Sequence, residues 1–209
     1  MRHFLDIKDF DKERLSALLD TAREMKSGYD VGRPLEGLHI GMIFEKPSTR
    51  TRVSFEVGIS QLGGTPVFLA ASELQLGRGE TVGDTAKVLS RYLDGLMIRA
   101  MKHETLTELV RHATVPVING LTDRSHPCQL LADLQTVIEH HGSLKNEVIV
   151  WFGDGNNVAN SWIEAAALFG FELRLVGPEA YHPSAELIAW ALEKGANIVI
   201  TKDAREAAR

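Results

Sequence analysis

A single cysteine, Cys128, in 209 residues excludes an internal disulfide framework and the multi-cysteine sets of structural zinc, and fits a reducing compartment. No apolar run approaches the roughly 18 residues that a membrane-spanning helix needs. The opening Met1-Arg2-His3-Phe4-Leu5-Asp6-Ile7-Lys8 has no apolar core of signal-peptide length. Long runs of like charge are missing too. The balance of 23 Lys and Arg against 28 Asp and Glu gives a formal net charge of −5, and nothing resembles a tail for nucleic acid or a membrane surface. The Gly-x-x-x-x-Gly-Lys loop of nucleoside-triphosphate sites is also absent. What remains is a cytoplasmic globular protein with small ligands, whose 44% hydrophobic content supports one large domain or two small ones.

Periodicity alternates regularly along the chain. Leu15, Leu18, Leu19, Ala22 and Met25 recur at helical spacing up to Gly28, and the apolar run Leu38 to Phe44 reads as a buried strand. A helix through Val53, Phe55, Ile59 and Leu62 follows, ended by Gly63-Gly64. Strands at 66–69, 95–98 and 115–118 are separated by helices carrying Val82, Ala86, Leu89 and Leu93, and then Leu106 to Val110. A long helix carries Leu130 to Ile138. After His141-Gly142-Ser143 a second series begins, with strands at 148–152, 171–176 and 198–201 and helices at 158–169 and 185–194. Helices between successive apolar strands require right-handed crossovers. The expected fold is therefore α/β: a mostly parallel sheet flanked by helices over residues 1–142, then an incomplete Rossmann-like domain over 143–209 that looks cut short.

The richest local signal is Ser48-Thr49-Arg50-Thr51-Arg52, set between a strand and a helix. A phosphoryl group needs several converging donors, and a loop entering a helix offers unpaired N–H groups and the positive end of the macrodipole. Ser48, Thr49 and Thr51 add hydroxyls, and Arg50 adds a planar fork that lysine cannot imitate. Ser48 as a simple N-cap before two solvated arginines is the bland alternative. Further on, Gly153-Asp154-Gly155-Asn156-Asn157 follows a strand. It is half of a dinucleotide fingerprint, with Val158 where a third glycine belongs, so a nicotinamide-dependent dehydrogenase is a minor alternative.

The stretch Phe44-Glu45-Lys46-Pro47-Ser48-Thr49-Arg50-Thr51-Arg52 resembles the carbamoyl-phosphate loop of the aspartate/ornithine carbamoyltransferase family. His126-Pro127-Cys128-Gln129 is similar to the family's His-Pro-x-Gln motif, Arg99 stands where the family has a carbonyl-binding arginine, and Gln75-Leu76-Gly77-x-x-Glu80 matches a loop lent by a neighbouring subunit. The resemblance implies a carbamoyl-phosphate site of Ser48, Thr49, Arg50, Thr51, Gln75, Arg99, His126 and Gln129. Arg99, His126, Gln129 and Thr51 would be its catalytic set.

It also implies a homotrimer with shared sites, and no cofactor or metal. The Asp-Gly-Asn-Asn string resembles the ornithine-side loop, with Asn157 as the ornithine-binding residue, which favours L-ornithine over aspartate, putrescine or a modified ornithine as acceptor. The family's later acceptor motifs do not occur in these 209 residues. The expectation is a truncated chain with little turnover of its own, or a carbamoyl-phosphate-binding fragment.

Overall fold

The computed structural model describes residues 3–70, 74 and 79–209. Close packing divides the chain into two compact units, one of Met1–Leu5 and Met25–Asp123, the other of Asp6–Glu24 and Arg124–Arg209.

In the first unit, β1 (His39–Phe44), β2 (Thr65–Ala70), β3 (Gly95–Arg99) and β4 (Val117–Leu121) form one parallel sheet in the order β2-β1-β3-β4. Strand side chains alternate between faces, and the apolar residues divide accordingly. Met42, Phe44 and Met97 join Ile59 and Phe55 of α2 (Thr49–Gln61) on one side. Ile43, Leu96 and Ile98 join Ala86 of α3 (Val82–Leu89) and Leu106 and Leu109 of α4 (His103–His112) on the other. Both faces of the sheet are thus covered by helices, as the near-continuous apolar strands require.

Several boundaries differ by a few residues from those read off the sequence, and three of them have a visible cause or consequence. The helix expected to reach Leu93 stops at Leu89, because the Ser90 hydroxyl donates back to the Ala86 carbonyl and accepts the Thr114 N–H, which turns the chain. The fourth strand starts at Val117, beyond Pro116, and runs on to Leu121. Arg99 is the last residue of β3 and not a position beyond it, and its register with Leu121 slips by one residue from that of Ile98 with Asn119.

The second unit holds the parallel sheet β5 (Val148–Phe152), β6 (Glu172–Val176) and β7 (Asn197–Thr201), in that order. Its helices are α6 (Asn157–Phe169), α7 (Ala185–Glu193) and the short α8 (Ala204–Ala207). α6 is the central element: Ala159, Ile163, Ala165 and Ala166 are fully buried, and Trp162 meets Phe171 edge-on at 5.7 Å. Packed on it are α5 (Pro127–His141) and the 3-10 turn Ile7–Asp9, which leads into α1 (Lys12–Lys26). These contacts group 6–24 and 124–141 with the second sheet in space, although in sequence they flank the first. Left-handed glycines close two of the helices, Gly142 (φ 83°) after α5 and Gly170 (φ 77°) after α6. Among the described residues no helix is long and apolar enough to cross a membrane.

Candidate functional site

The site residues of the first unit gather at the carboxyl ends of β1 and β3. β1 ends at Phe44, and the chain passes through Glu45 to Pro47 into α2, whose N-cap is Ser48 in extended conformation. Glu45 braces this passage twice: its N–H donates to the Arg99 carbonyl at 2.9 Å and its carboxylate accepts the Met101 N–H at 2.6 Å. The loop therefore enters the helix from a fixed point on the adjacent strand.

The Ser48 side chain makes no capping bond. The first helical N–H groups have no intrahelical acceptor, so the opening turn at Thr49, Arg50 and Thr51 presents donors to an outside ligand. The starts of α4 and α5 also lack a side-chain cap, whereas four other helices are closed at this end. Thr81 accepts the Asp84 N–H, Asn156 those of Val158 and Ala159, Ser184 that of Leu187, and Asp11 that of Arg14. The plain N-cap alternative for Ser48 thus fails on geometry.

The structure brings Arg99 and Thr51 together, with Arg99 Nη1 donating to Thr51 Oγ1 at 3.4 Å. Burial lowers the Arg99 pKa from its usual value, and Arg99 Nε is buried with no hydrogen-bond partner among the described residues. A buried guanidinium N–H without an acceptor costs free energy, and an oxygen-rich ligand would satisfy it. Arg50 is exposed on the first turn. Arg52 is held elsewhere: its guanidinium lies 3.7 Å from the Phe68 ring centroid and its Nε pairs with Glu56 at 3.4 Å. Ser48, Thr49, Arg52 and Phe68 line a cleft of about 670 Å³ beside the loop. Gln75 lies outside the described residues.

The second unit carries His126, Gln129 and Asn157. His126 is the half-buried N-cap of α5, with Pro127 at the first helical position, and its ring is not used as a cap. Its N–H donates to Ser161 Oγ at 3.0 Å. Gln129 stands exposed on the opening turn, its amide nitrogen donating to Asp133 at 2.8 Å. Asn157 is the first residue of α6, and its carbonyl accepts the Ser161 hydroxyl at 3.2 Å. Ser161 therefore joins two of the expected residues that look unrelated in sequence.

The glycine turn before α6 does not serve a dinucleotide. The Asn156 side chain occupies the N–H groups of Val158 and Ala159, which a pyrophosphate would need. A Cβ on Gly155 would fall 2.3 Å from the Pro183 nitrogen, so this glycine makes room for the chain's own backbone. Of the residues that shape the two clusters, the sequence reading passed over Glu45, Asn160 and Ser161. Ser161 alone had a visible signal, a hydroxyl on the buried face of an apolar helix.

Fold and loop together define an α/β protein with an uncapped helix start at a strand-loop-helix junction. Two family models match consecutive parts of the chain: "Aspartate/ornithine carbamoyltransferase, carbamoyl-P binding domain" over residues 2–139, and "Aspartate/ornithine carbamoyltransferase, Asp/Orn binding domain" over residues 145–209. The ornithine carbamoyltransferase of Pelobacter propionicus is 52% identical over 210 residues, covering 99% of this chain and 69% of the relative. The anabolic ornithine carbamoyltransferase of Pseudomonas aeruginosa is 51% identical over 210 residues, covering 99% and 68%. The solved ornithine carbamoyltransferase from Pyrococcus furiosus superimposes with a TM-score of 0.94 at 45% identity, covering 100% of this chain and 69% of that one. The chain belongs to the aspartate/ornithine carbamoyltransferase family.

Proposed function

We propose that the protein transfers the carbamoyl group of carbamoyl phosphate to the δ-amino group of L-ornithine, giving L-citrulline and phosphate. The observation that carries this reading is the uncapped first turn of α2 beside a half-buried Arg99 whose buried Nε has no described partner. The names of the relatives support ornithine as acceptor.

In this reading Ser48, Thr49, Arg50 and Thr51 hold the phosphate, and Gln75 reaches the site of a neighbouring subunit in a homotrimer. Arg99, His126 and Thr51 polarise the carbonyl, and Gln129 orients the carbamoyl amide. Asn157 receives the acceptor. The neutral δ-amine attacks the carbonyl carbon, a C–N bond forms, and negative charge collects on the carbonyl oxygen. Collapse breaks the C–O bond to phosphate, which leaves with the electron pair and takes the surplus proton from nitrogen. Each donor aimed at the oxyanion contributes about 2.7–4 kcal/mol by analogy with hydrolase sites, and holding the reactants in line contributes about 7–11 kcal/mol. No step requires a covalent enzyme intermediate. We assign the reaction to arginine biosynthesis in the cytoplasm.

Residues 1–209 on their own are expected to bind carbamoyl phosphate and to turn over slowly. A screen of labelled carbamoyl phosphate against ornithine, aspartate and putrescine tests the reading. Citrulline as the dominant product supports it, and preference for another amine replaces ornithine. Calorimetry that finds no carbamoyl-phosphate binding, or unchanged binding in Arg50→Ala, removes the reading altogether.

A further inference from the structure

Ser161 is fully buried in the first third of α6, on a helix whose buried neighbours are mostly apolar. A serine inside a helix has no intrinsic advantage there, and an alanine would fill the same face, so the hydroxyl needs a polar reason. Both of its hydrogen-bonding capacities are used. It accepts the His126 N–H at 3.0 Å and donates to the Asn157 carbonyl at 3.2 Å. A hydroxyl that accepts and donates at once transmits polarisation and displacement along the chain of bonds.

The surroundings make this link directional. The stretch before α5 is pinned at each of three consecutive residues: the Arg124 carbonyl accepts from Asn160 Nδ2 at 3.0 Å, the Ser125 hydroxyl bonds Asp6, and the His126 N–H bonds Ser161. Two of the three anchors, Asn160 and Ser161, are adjacent residues of α6. The start of α6 is itself held by the Asn156 cap and by the Gly155 N–H, which donates to the Tyr181 carbonyl at 2.7 Å. A shift of α6 therefore reaches the His126 N–H through Ser161 and the Arg124 carbonyl through Asn160, while Asp6 holds Ser125.

We infer that Ser161 is a positioning residue that couples the acceptor side of the site to the carbonyl-polarising side, setting His126 according to what occupies Asn157. The inference rests on the roles given above to these two residues. Ser161 touches neither substrate. Its effect is a coupling between sites, which exists only if occupation of one changes the geometry of the other.

The test is a titration of isotopically labelled protein with L-ornithine, followed by nuclear magnetic resonance at the Asn157 amide, the His126 amide and the His126 ring. Both residues should respond in the unmodified protein with the same apparent Kd. In Ser161→Ala and Ser161→Cys the Asn157 response should persist while the His126 ring response is lost. Cysteine fills the volume but accepts hydrogen bonds weakly, so a role in packing alone predicts an unchanged His126 response in that variant. Ser161→Thr keeps the hydroxyl and its bond to the i−4 carbonyl, and should restore the response.

A response at Asn157 without one at His126 in the unmodified protein overturns the coupling and leaves the acceptor reading standing. A His126 response that survives in both Ala and Cys variants overturns it as well. No response at either residue removes Asn157 as the acceptor residue, and the coupling with it.

Discussion

Glu164 should make the stability of this protein fall as the pH rises through the weakly acidic range. It sits on α6 with 1% of its surface exposed, 3.4 Å from Lys8 Nζ and accepting the Lys8 N–H at 3.3 Å. Beside it is a cavity of about 330 Å³ that Arg124, Glu186 and Trp190 also line. Burial is the largest influence on its carboxyl, the nearby Asp6 adds to it and Lys8 opposes it; together they push the pKa from 4.5 up to about 7. A carboxyl with a raised pKa keeps its proton in the folded chain over a range where the unfolded chain has released it. Stability is therefore greatest below about pH 4.5 for this group, and is lost as pH rises to about 7.

The span of about 2.5 pKa units, at about 1.36 kcal/mol per unit, amounts to about 3 kcal/mol. Glu164→Gln removes the titration and keeps the shape. Urea denaturation followed by tryptophan fluorescence at a series of pH values measures the difference between the two proteins. Relative to the glutamine variant, the unmodified protein should lose about 3 kcal/mol between pH 4.5 and pH 8. Asp9 and Asp133, whose carboxyls burial also raises, titrate in both proteins and cancel. Parallel stability curves would refute the reasoning.

Three further outcomes are expected. Arg99→Lys keeps the charge but loses the planar fork that faces Thr51, and should weaken carbamoyl-phosphate binding by roughly tenfold, about 1.4 kcal/mol; calorimetric affinities within twofold would contradict this. Gly155→Ala forces a methyl to within 2.3 Å of the Pro183 nitrogen and should cost about 1–3 kcal/mol, read from the urea midpoint, with no change counting against the close contact. Cys128 is half-buried, and burial pushes its thiol up to about 12, so at pH 8 a thiol-specific disulfide reagent should label it far more slowly than a free thiol. Immediate labelling of the folded protein would show that the thiol is accessible.

The elements and their order were legible in the sequence because apolar periodicity records burial, and most helices and the strands of the first sheet bury a face, while β5 and β7 were read from their β-branched runs alone. Boundaries were less legible where a side-chain bond intervened, as when Ser90 ended α3 one turn before the apolar pattern did. The strand-loop-helix junction at Ser48 could be read because its residues lie within one turn of one helix. Contacts that join distant positions left no local trace. Glu45 braces Met101 across 56 positions, and Ser161 holds the His126 N–H across 35. The spatial grouping of the Ile7–Asp9 turn and α5 around α6 was hidden for the same reason, since periodicity reports that a face is buried and not what buries it.

Selectivity at the first unit follows from what the helix starts lack. A serine at an N-cap ordinarily takes one of the orphan N–H groups, as Ser184 does at α7, and that contact stabilises a helix by about 1 kcal/mol. At α2 the same residue type makes no such bond, so α2 forgoes that contribution and its free donors raise the gain from an arriving anion. Arg99 repeats the pattern: its buried Nε lacks a described partner, and an acceptor there would relieve the cost. Arg52 stacks on Phe68 and pairs with Glu56 at the wall of the same cleft. Lys46 and Arg52 line the cleft beside the loop, Arg50 stands on the first turn, and Arg99 reaches Thr51 from β3.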